Sequence, residues 1–322
     1  MAVYTHVSAE ALEAFLKRYE VGDLVSAKGI AEGVENSNYL VDTTQARLIL
    51  TLYEKRVAAD DLPFFMALLD HLADKGLPVP PAIKDRAGVE IQELEGRPAC
   101  LIRFLPGVSL SHPTPAQALA AGDALGAMHR AVADFAPQRA NSMGQATWAA
   151  LHARCGRDLD GIAAGLYDDL AFAIPDLAAS WPAVGLDRCA IHADLFPDNV
   201  LMLGDRVTGL IDFYFACTDI RLFDLAIMHV AWSFDATGTR HDAAVGDALI
   251  EGYARHFPLS EDEQMAWNAL TVGACIRFTL SRAWDWLNTP SDALVTRKDP
   301  LAFWRRLKVY DPDLASLSKT LG

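Results

Sequence analysis

No run of eighteen apolar residues free of charge occurs anywhere in this sequence, and a helix that crosses a bilayer needs about 20. The opening Met1-Ala2-Val3-Tyr4-Thr5-His6 lacks a basic region followed by an apolar core, so no secretion leader is expected and a cytoplasmic location is. Cysteine is scarce: five, at 100, 155, 189, 217 and 275, an odd number with no close pair. That pattern excludes a zinc module and a small disulfide framework, and it suits free, buried thiols in a reducing compartment. Positive charge is also short, with 28 Lys and Arg against 42 Asp and Glu and a net charge of -14. Nucleic acid and anionic membranes are therefore poor partners, since both call for a cationic surface. A single phosphorylated ligand held by local amides and a metal remains compatible. Internal repeats and low-complexity segments are absent as well.

What is present is a chain 52% hydrophobic and 322 residues long, more than one core usually supports, so two lobes are expected. Ser8 can cap a helix whose apolar face is Leu12, Phe15, Leu16 and Tyr19. Residues 24–31 read as a strand, Gly33-Val34-Glu35-Asn36 as a turn, Tyr39-Leu40-Val41 as the returning strand, and Leu48 to Tyr53 as a third. A helix follows with Leu62, Phe65, Met66, Leu69 and Leu72 on one side, stopping at Lys75-Gly76. Val89 to Leu94 and Ala99 to Leu105 form a hairpin across Glu95-Gly96-Arg97. After Pro106-Gly107 the pattern is mainly helical, broken by one apolar hairpin near residues 200–213. The Ala-rich stretch from Ala116 to Ala127 reads as a closely packed core helix. The expected fold is α+β: a small five-stranded antiparallel sheet lobe over 1–105 and a larger helical lobe over 106–322.

The chemistry sits in Ile191-His192-Ala193-Asp194-Leu195-Phe196-Pro197-Asp198-Asn199-Val200-Leu201. An Asp stands two residues after a His, an Asn five after that Asp, and Ile211-Asp212-Phe213 closes the hairpin that follows. Phosphoryl transfer calls for a carboxylate to orient the attacking hydroxyl, and for hard oxygen ligands that hold magnesium on the phosphates. Asp194 suits the first role; Asn199 and Asp212 suit the second. The plain alternative is that these polar residues only cap a loop between helix and strand.

The spacing resembles the catalytic loop of the protein-kinase fold, with Ala193 in place of the middle Arg and Tyr214-Phe215-Ala216 in place of a Gly after Phe213. With Asp224-Leu225-Ala226 and Leu125-Gly126-Ala127-Met128-His129, the pattern looks like the aminoglycoside phosphotransferase and choline kinase superfamily. Within it, Asn36-Ser37-Asn38-Tyr39, Arg103-Phe104-Leu105-Pro106-Gly107, Asp212 to Cys217 and Arg277-Phe278-Thr279-Leu280-Ser281-Arg282 are similar to the bacterial type II homoserine kinases. The resemblance spans nearly the whole chain. It implies a two-lobed protein-kinase-like fold, ATP and magnesium as cofactors, and a small alcohol as acceptor. For the homoserine group the product is O-phosphohomoserine, on the route to threonine. Methylthioribose, choline or an aminoglycoside as acceptor, and a non-catalytic nucleotide-binding module, stay open as rivals.

Carried onto this sequence, the resemblance implies that Gly33, Asn36, Ser37 and Asn38 cover the ATP phosphates. Arg103 and Leu105 then lead into a hinge beside adenine. Asp224 braces the catalytic loop, where a helix N-cap is the plainer reading. His192 orients the loop, and His129 reads as a core residue. At the strand-three lysine position stands Thr51, with Asp61 near the acidic partner position and Lys55 four residues beyond Thr51. On the acceptor side, homoserine's carboxylate calls for a cation, and Arg282, with Arg277 five residues before it, is read either as that clamp or as one half of a buried structural ion pair, while Tyr214, just past Asp212, either stands near the acceptor or only packs.

Overall fold

The computed structural model describes residues 4–30, 36–54, 58–182, 185–289, 297–318 and 320. Two compact units result: one holds the described residues up to Gly107 together with Thr208–Tyr214, the other Val108–Val207 and the described residues from Phe215 onward.

The first unit opens with helix α1 (Ala9–Leu16), capped by Ser8, whose hydroxyl accepts from the Ala11 amide at 3.1 Å. Strands β1 (Leu24–Gly29), β2 (Ser37–Thr43) and β3 (Arg47–Leu52) follow, then α2 (Leu62–Asp74), β4 (Gln92–Leu94) and β5 (Arg97–Arg103). The strands form one five-stranded antiparallel sheet in the order β1-β2-β3-β5-β4. Leu12, Phe15, Leu16 and Tyr19 pack with Tyr39, Val41, Leu48, Leu50 and Leu101 to make its core, each fully buried side chain stabilising by about 1.5–3 kcal/mol. The β4–β5 hairpin turns at Glu95 and Gly96, φ 52° and 69°, the left-handed pair a two-residue turn demands. Its first arm is shorter than the sequence implies. The Asp85 carboxylate accepts from the amides of Ala87 and Val89 at 2.8 and 2.9 Å, holding Val89 in a turn rather than a strand.

The second unit is mainly helical: α3 (Pro115–Ala131), α4 (Gln145–Cys155) and α5 (Leu166–Ser180), then, after a run of short strands, α6 (Arg221–Trp232), α7 (Ala243–Ala254), α8 (Glu261–Asn288), α9 (Leu301–Tyr310) and α10 (Pro312–Leu317). Those strands are β6 (Arg188–Ile191), β7 (Val200–Leu203), β8 (Arg206–Leu210, which belongs to the first unit from Thr208 on) and β9 (Cys217–Ile220). The expected hairpin is β7–β8. An antiparallel pair that the sequence reading lacks, β6 with β9, runs from Arg188 opposite Ile220 to Ile191 opposite Cys217. Four-residue strands are too short for an alternation to show.

Helix α3 is the closely packed core helix its alanines suggest. Thr114 and Gln117 cap it reciprocally, with Pro115 in its first turn. A Cβ on Gly122 would stand 2.0 Å from the Leu249 carbonyl oxygen, and one on Gly252 2.0 Å from that of Leu119. The α3 and α7 backbones therefore touch directly. Helix α8 starts from a second reciprocal cap, Ser260 with Glu263. Among the described residues no helix is long and apolar enough to cross a membrane.

Candidate active site

Strand β6 delivers the chain into His192-Ala193-Asp194, and the β6–β9 pairing sets where that delivery ends. Ala193 takes φ 65°, a left-handed conformation unusual for a residue with a Cβ. The Asp194 amide donates to His192 Nδ1 at 3.2 Å. The Asp194 carbonyl accepts from the Phe196 amide at 2.8 Å and from Asn199 Nδ2 at 2.8 Å, and the same nitrogen lies 3.3 Å from Asp194 Oδ2. With its nitrogen so occupied, the Asn199 amide leaves Oδ1 as a hard oxygen donor. Asp194 is half-buried and Asn199 buried.

The turn is braced from α6. Asp224 is fully buried, and its carboxylate accepts from the amides of His192 at 2.7 Å and Ala193 at 2.8 Å. It stands inside the first turn of α6, with Ile220 at the cap position, so the N-cap reading gives way to a loop brace. Burial pushes its carboxyl up; the hydrogen bond and charge of His129, the nearby His192 ring and the His192 amide outweigh this and hold it below the ordinary range. His129 Nε2 lies 3.1 Å from Asp224 and its Nδ1 3.0 Å from the Tyr253 hydroxyl. Tyr253 accepts from Arg221 at 2.8 Å, and Arg221 reaches Glu263 at 2.8 Å. Glu263 thus belongs both to the α8 cap and to a buried chain that ends at the loop. Arg221, Tyr253 and Glu263 are absent from the sequence reading, because partners this far apart in sequence leave no local signal.

In the first unit, Asp212 is exposed and left-handed, φ 67°, followed by a 3-10 turn, Phe213–Phe215. Tyr214 sits edge-on to Tyr53 and Phe65, at 5.2 and 5.9 Å between ring centres. The Tyr53 hydroxyl donates to that of Tyr214 at 3.4 Å, and burial pushes the Tyr214 hydroxyl up. Thr51 donates to Asn38 Oδ1 at 2.8 Å. Ser37 is fully buried, its hydroxyl accepting from the Tyr4 and Thr5 amides and donating to Glu54 at 2.8 Å. Asn36 Oδ1 accepts from the Glu54 amide at 3.3 Å. Arg103 is exposed at the end of β5, and Leu105 is half-buried. Asp61 precedes α2. Gly33 and Lys55 lie outside the described residues.

The profile of the phosphotransferase enzyme family matches residues 26–260. A homoserine kinase of Zymomonas mobilis is 51% identical over 96% of this chain and 97% of its own, and one of Xanthobacter autotrophicus 48% identical over 96% of each. The chain belongs to the phosphotransferase family. Among solved structures, an amicoumacin kinase in complex with AMP-PNP is 13% identical with TM-score 0.73, covering 96% of this chain and 94% of its own. A microcompartment-associated aminopropanol kinase is 20% identical with TM-score 0.70, covering 94% and 95%. At such identities the likeness is one of fold, and it makes the sheet and helical units of this phosphotransferase the two lobes of a kinase-like fold.

Around Asp194 in the helical lobe, this phosphotransferase gathers cations on aromatic rings. Phe196 packs on Phe278 and Phe303, at 4.8 and 5.7 Å. Arg282 lies over Phe303 at 4.5 Å, with Arg306 on the same ring at 3.9 Å. Arg306 is committed to the carbonyls of Val230 and Asp235. Arg282 makes a long hydrogen bond, 3.4 Å, to the Asp299 carbonyl. Burial first, then the like charge of Arg306, pushes the Arg282 guanidinium down to about 10, against the pull of Asp194, Asp198 and Asp299. Lys298 pairs with Asp198 at 3.3 Å. Among the described residues no group of three or more His, Cys, Asp and Glu is arranged to hold a metal. Asn199 in the second unit and Asp212 in the first each carry an oxygen donor of the hard type that magnesium prefers.

Proposed function

We propose that this phosphotransferase moves the γ-phosphoryl group of ATP to the hydroxyl of L-homoserine, forming O-phospho-L-homoserine for threonine biosynthesis. The observation that carries the acceptor is Arg282, a half-buried guanidinium in the field of Asp194 with one long hydrogen bond and a second cation on the same ring. A carboxylate there gains charge-assisted bonds and relieves the repulsion between the two arginines. Choline and aminoglycosides would bring further positive charge to it. Homoserine supplies a carboxylate for Arg282, an ammonium suited to nearby acids, and a primary hydroxyl. The relatives named homoserine kinase support the same choice.

In this reading Asp194 orients the acceptor hydroxyl and takes its proton, while His192 and Asp224 hold the turn that presents it. Asn199 and Asp212 would each offer an oxygen to magnesium, whose charge would offset that of the phosphates. Asn36 and Asn38 contribute to the cover over the phosphates, with Gly33 assigned to the same cover by family resemblance. The Ser37 hydroxyl is already occupied inside the sheet lobe, which leaves Ser37 a structural part of that cover. Arg103 and Leu105 lead to the adenine hinge, and Tyr214 flanks the acceptor. With Thr51 at the strand-three position, phosphate charge falls to the metal and the loop amides.

The test is magnesium-dependent ADP release with homoserine, methylthioribose, choline and an aminoglycoside offered in turn. Homoserine is expected to give the highest kcat/KM. Arg282→Met should raise the homoserine KM roughly 10–100-fold, the worth of a charge-assisted pair, with the ATP KM unchanged. Preference for another alcohol, or a homoserine KM untouched by Arg282→Met, would remove the reading.

A further inference from the structure

The peptide units around Ala193 are held from opposite sides. The N–H donates to Asp224 Oδ1 at 2.8 Å, and the C=O accepts from Nη1 of Arg277, which comes from α8, 84 residues later. Arg277 is 2% exposed and lies against the rings of Phe278 at 4.5 Å and Phe215 at 5.8 Å. Among the described residues its guanidinium makes that one hydrogen bond, and its Nε has no partner. Burial disfavours its charge; Asp194, Asp224 and Asp219 favour it without a hydrogen bond to it.

Stability does not explain such a residue. A buried cation bonded to one neutral carbonyl bears most of its desolvation cost uncompensated, and an apolar side chain of similar volume is often neutral or stabilising in such a place. A methionine would also pack on Phe278 and Phe215. What the guanidinium supplies is control of the Ala193 carbonyl. Ala193 stands at φ 65°, a conformation that costs about 1–2 kcal/mol for a residue with a Cβ, and its methyl group has no polar atom with which to hold it. The next residue is Asp194, so rotation of that peptide would swing the carboxylate away from its place.

We infer that Arg277 is a positioning residue: together with Asp224 it clamps the peptides on both sides of Ala193, locks the left-handed turn, and so aims the Asp194 carboxylate. This rests on the reading of Asp194 as the group that faces the acceptor hydroxyl. Arg277 touches neither the acceptor nor the nucleotide in this role. It acts on kcat through geometry, and misplacing a reacting group by about 1 Å can cost on the order of 100-fold.

Three variants test the clamp. Arg277→Met should lower kcat on the order of 100-fold, leave both KM values within about twofold, and keep or raise the urea midpoint of unfolding. Arg277→Lys keeps a donor for the carbonyl and should recover at least about tenfold of that loss, because one charge-assisted bond is restored. In an Asp194→Asn background, Arg277→Met should change the residual turnover little, since the group it aims is gone. Unchanged kcat in Arg277→Met, a rise in acceptor KM with kcat intact, or the full loss repeated on top of Asp194→Asn would each overturn the clamp. A fall in unfolding midpoint that tracks the activity loss in both Arg277 variants would mark a structural part instead, and overturn it too. Normal turnover in Asp194→Asn alone would remove the reading of Asp194, an outcome separate from the Arg277 single variants.

Discussion

At the residue scale, the site depends on how one carboxylate meets two peptide groups. Asp224 accepts the His192 and Ala193 amides on separate oxygens, at 2.7 and 2.8 Å, while His129 bonds one of them. Asparagine offers a single acceptor oxygen and turns an NH2 toward an N–H. Asp224→Asn should therefore cost about 1–3 kcal/mol for an unpaired buried donor. It should also lower kcat by roughly tenfold or more as the turn loosens. Urea unfolding and steady-state turnover measure the two effects, and unchanged stability would show that the brace is dispensable. The sequence made Asp194, Asn199 and Asp212 legible because their spacing lies on a continuous stretch of chain, where short-range geometry limits the possibilities. Asp224 reads in the sequence either as a helix N-cap or as a brace for the loop, and its place inside the first turn of α6 with its carboxylate on two loop amides was not legible, since a side chain's direction within a helix turn depends on what faces it. Arg277 sat in view as an arginine on an apolar helix, and its contact with Ala193 was invisible without the fold.

At the element scale, helices and long strands followed their apolar periodicity, and the misses are short. Strands β6 and β9 have four residues each, and the pairing between them, not local preference, makes them strands. The first arm of the β4 hairpin lost its start to the Asp85 turn, a side-chain bond that outcompetes the ladder. The α3–α7 contact was half legible. Small residues announced a close approach, but the partner at Gly252 did not. Gly122→Ala gains about 1 kcal/mol of helix propensity and drives a methyl group to 2.0 Å from the Leu249 carbonyl. Separation of the helices should dominate, for a net loss of about 1–3 kcal/mol. The urea midpoint reports it; a stabilised Gly122→Ala protein would mean that the helices part at little cost.

At the scale of the whole molecule, acid should weaken the fold through buried groups that no step of the reaction titrates. His229 is buried, and burial, then the neighbouring His241, pushes its ring down to about 4. The unfolded chain binds a proton near pH 6.5 that the folded chain refuses until about pH 4. Stability is therefore retained above the unfolded value and lost as pH falls through this window, by roughly 3 kcal/mol for this ring. Asp224 works in the same sense at lower pH, its carboxyl being held below the ordinary range. Melting temperature followed from pH 7 to pH 4 should fall, and His229→Gln should flatten the curve between pH 6.5 and 4. An equal fall in both proteins would shift the cause to the carboxylates.

The sequence by itself determined the α+β class, most elements of the sheet unit and the close spacing of Asp194, Asn199 and Asp212, because each depends on residues close together along the chain. Tertiary structure decided which cations gather beside Asp194, which acid and which base grip the peptides around Ala193, and how closely two glycines let helices approach. Those contacts join residues many tens of positions apart, and burial gives them their strength: a guanidinium or a carboxylate removed from water acts on whatever dipole or charge the fold sets against it.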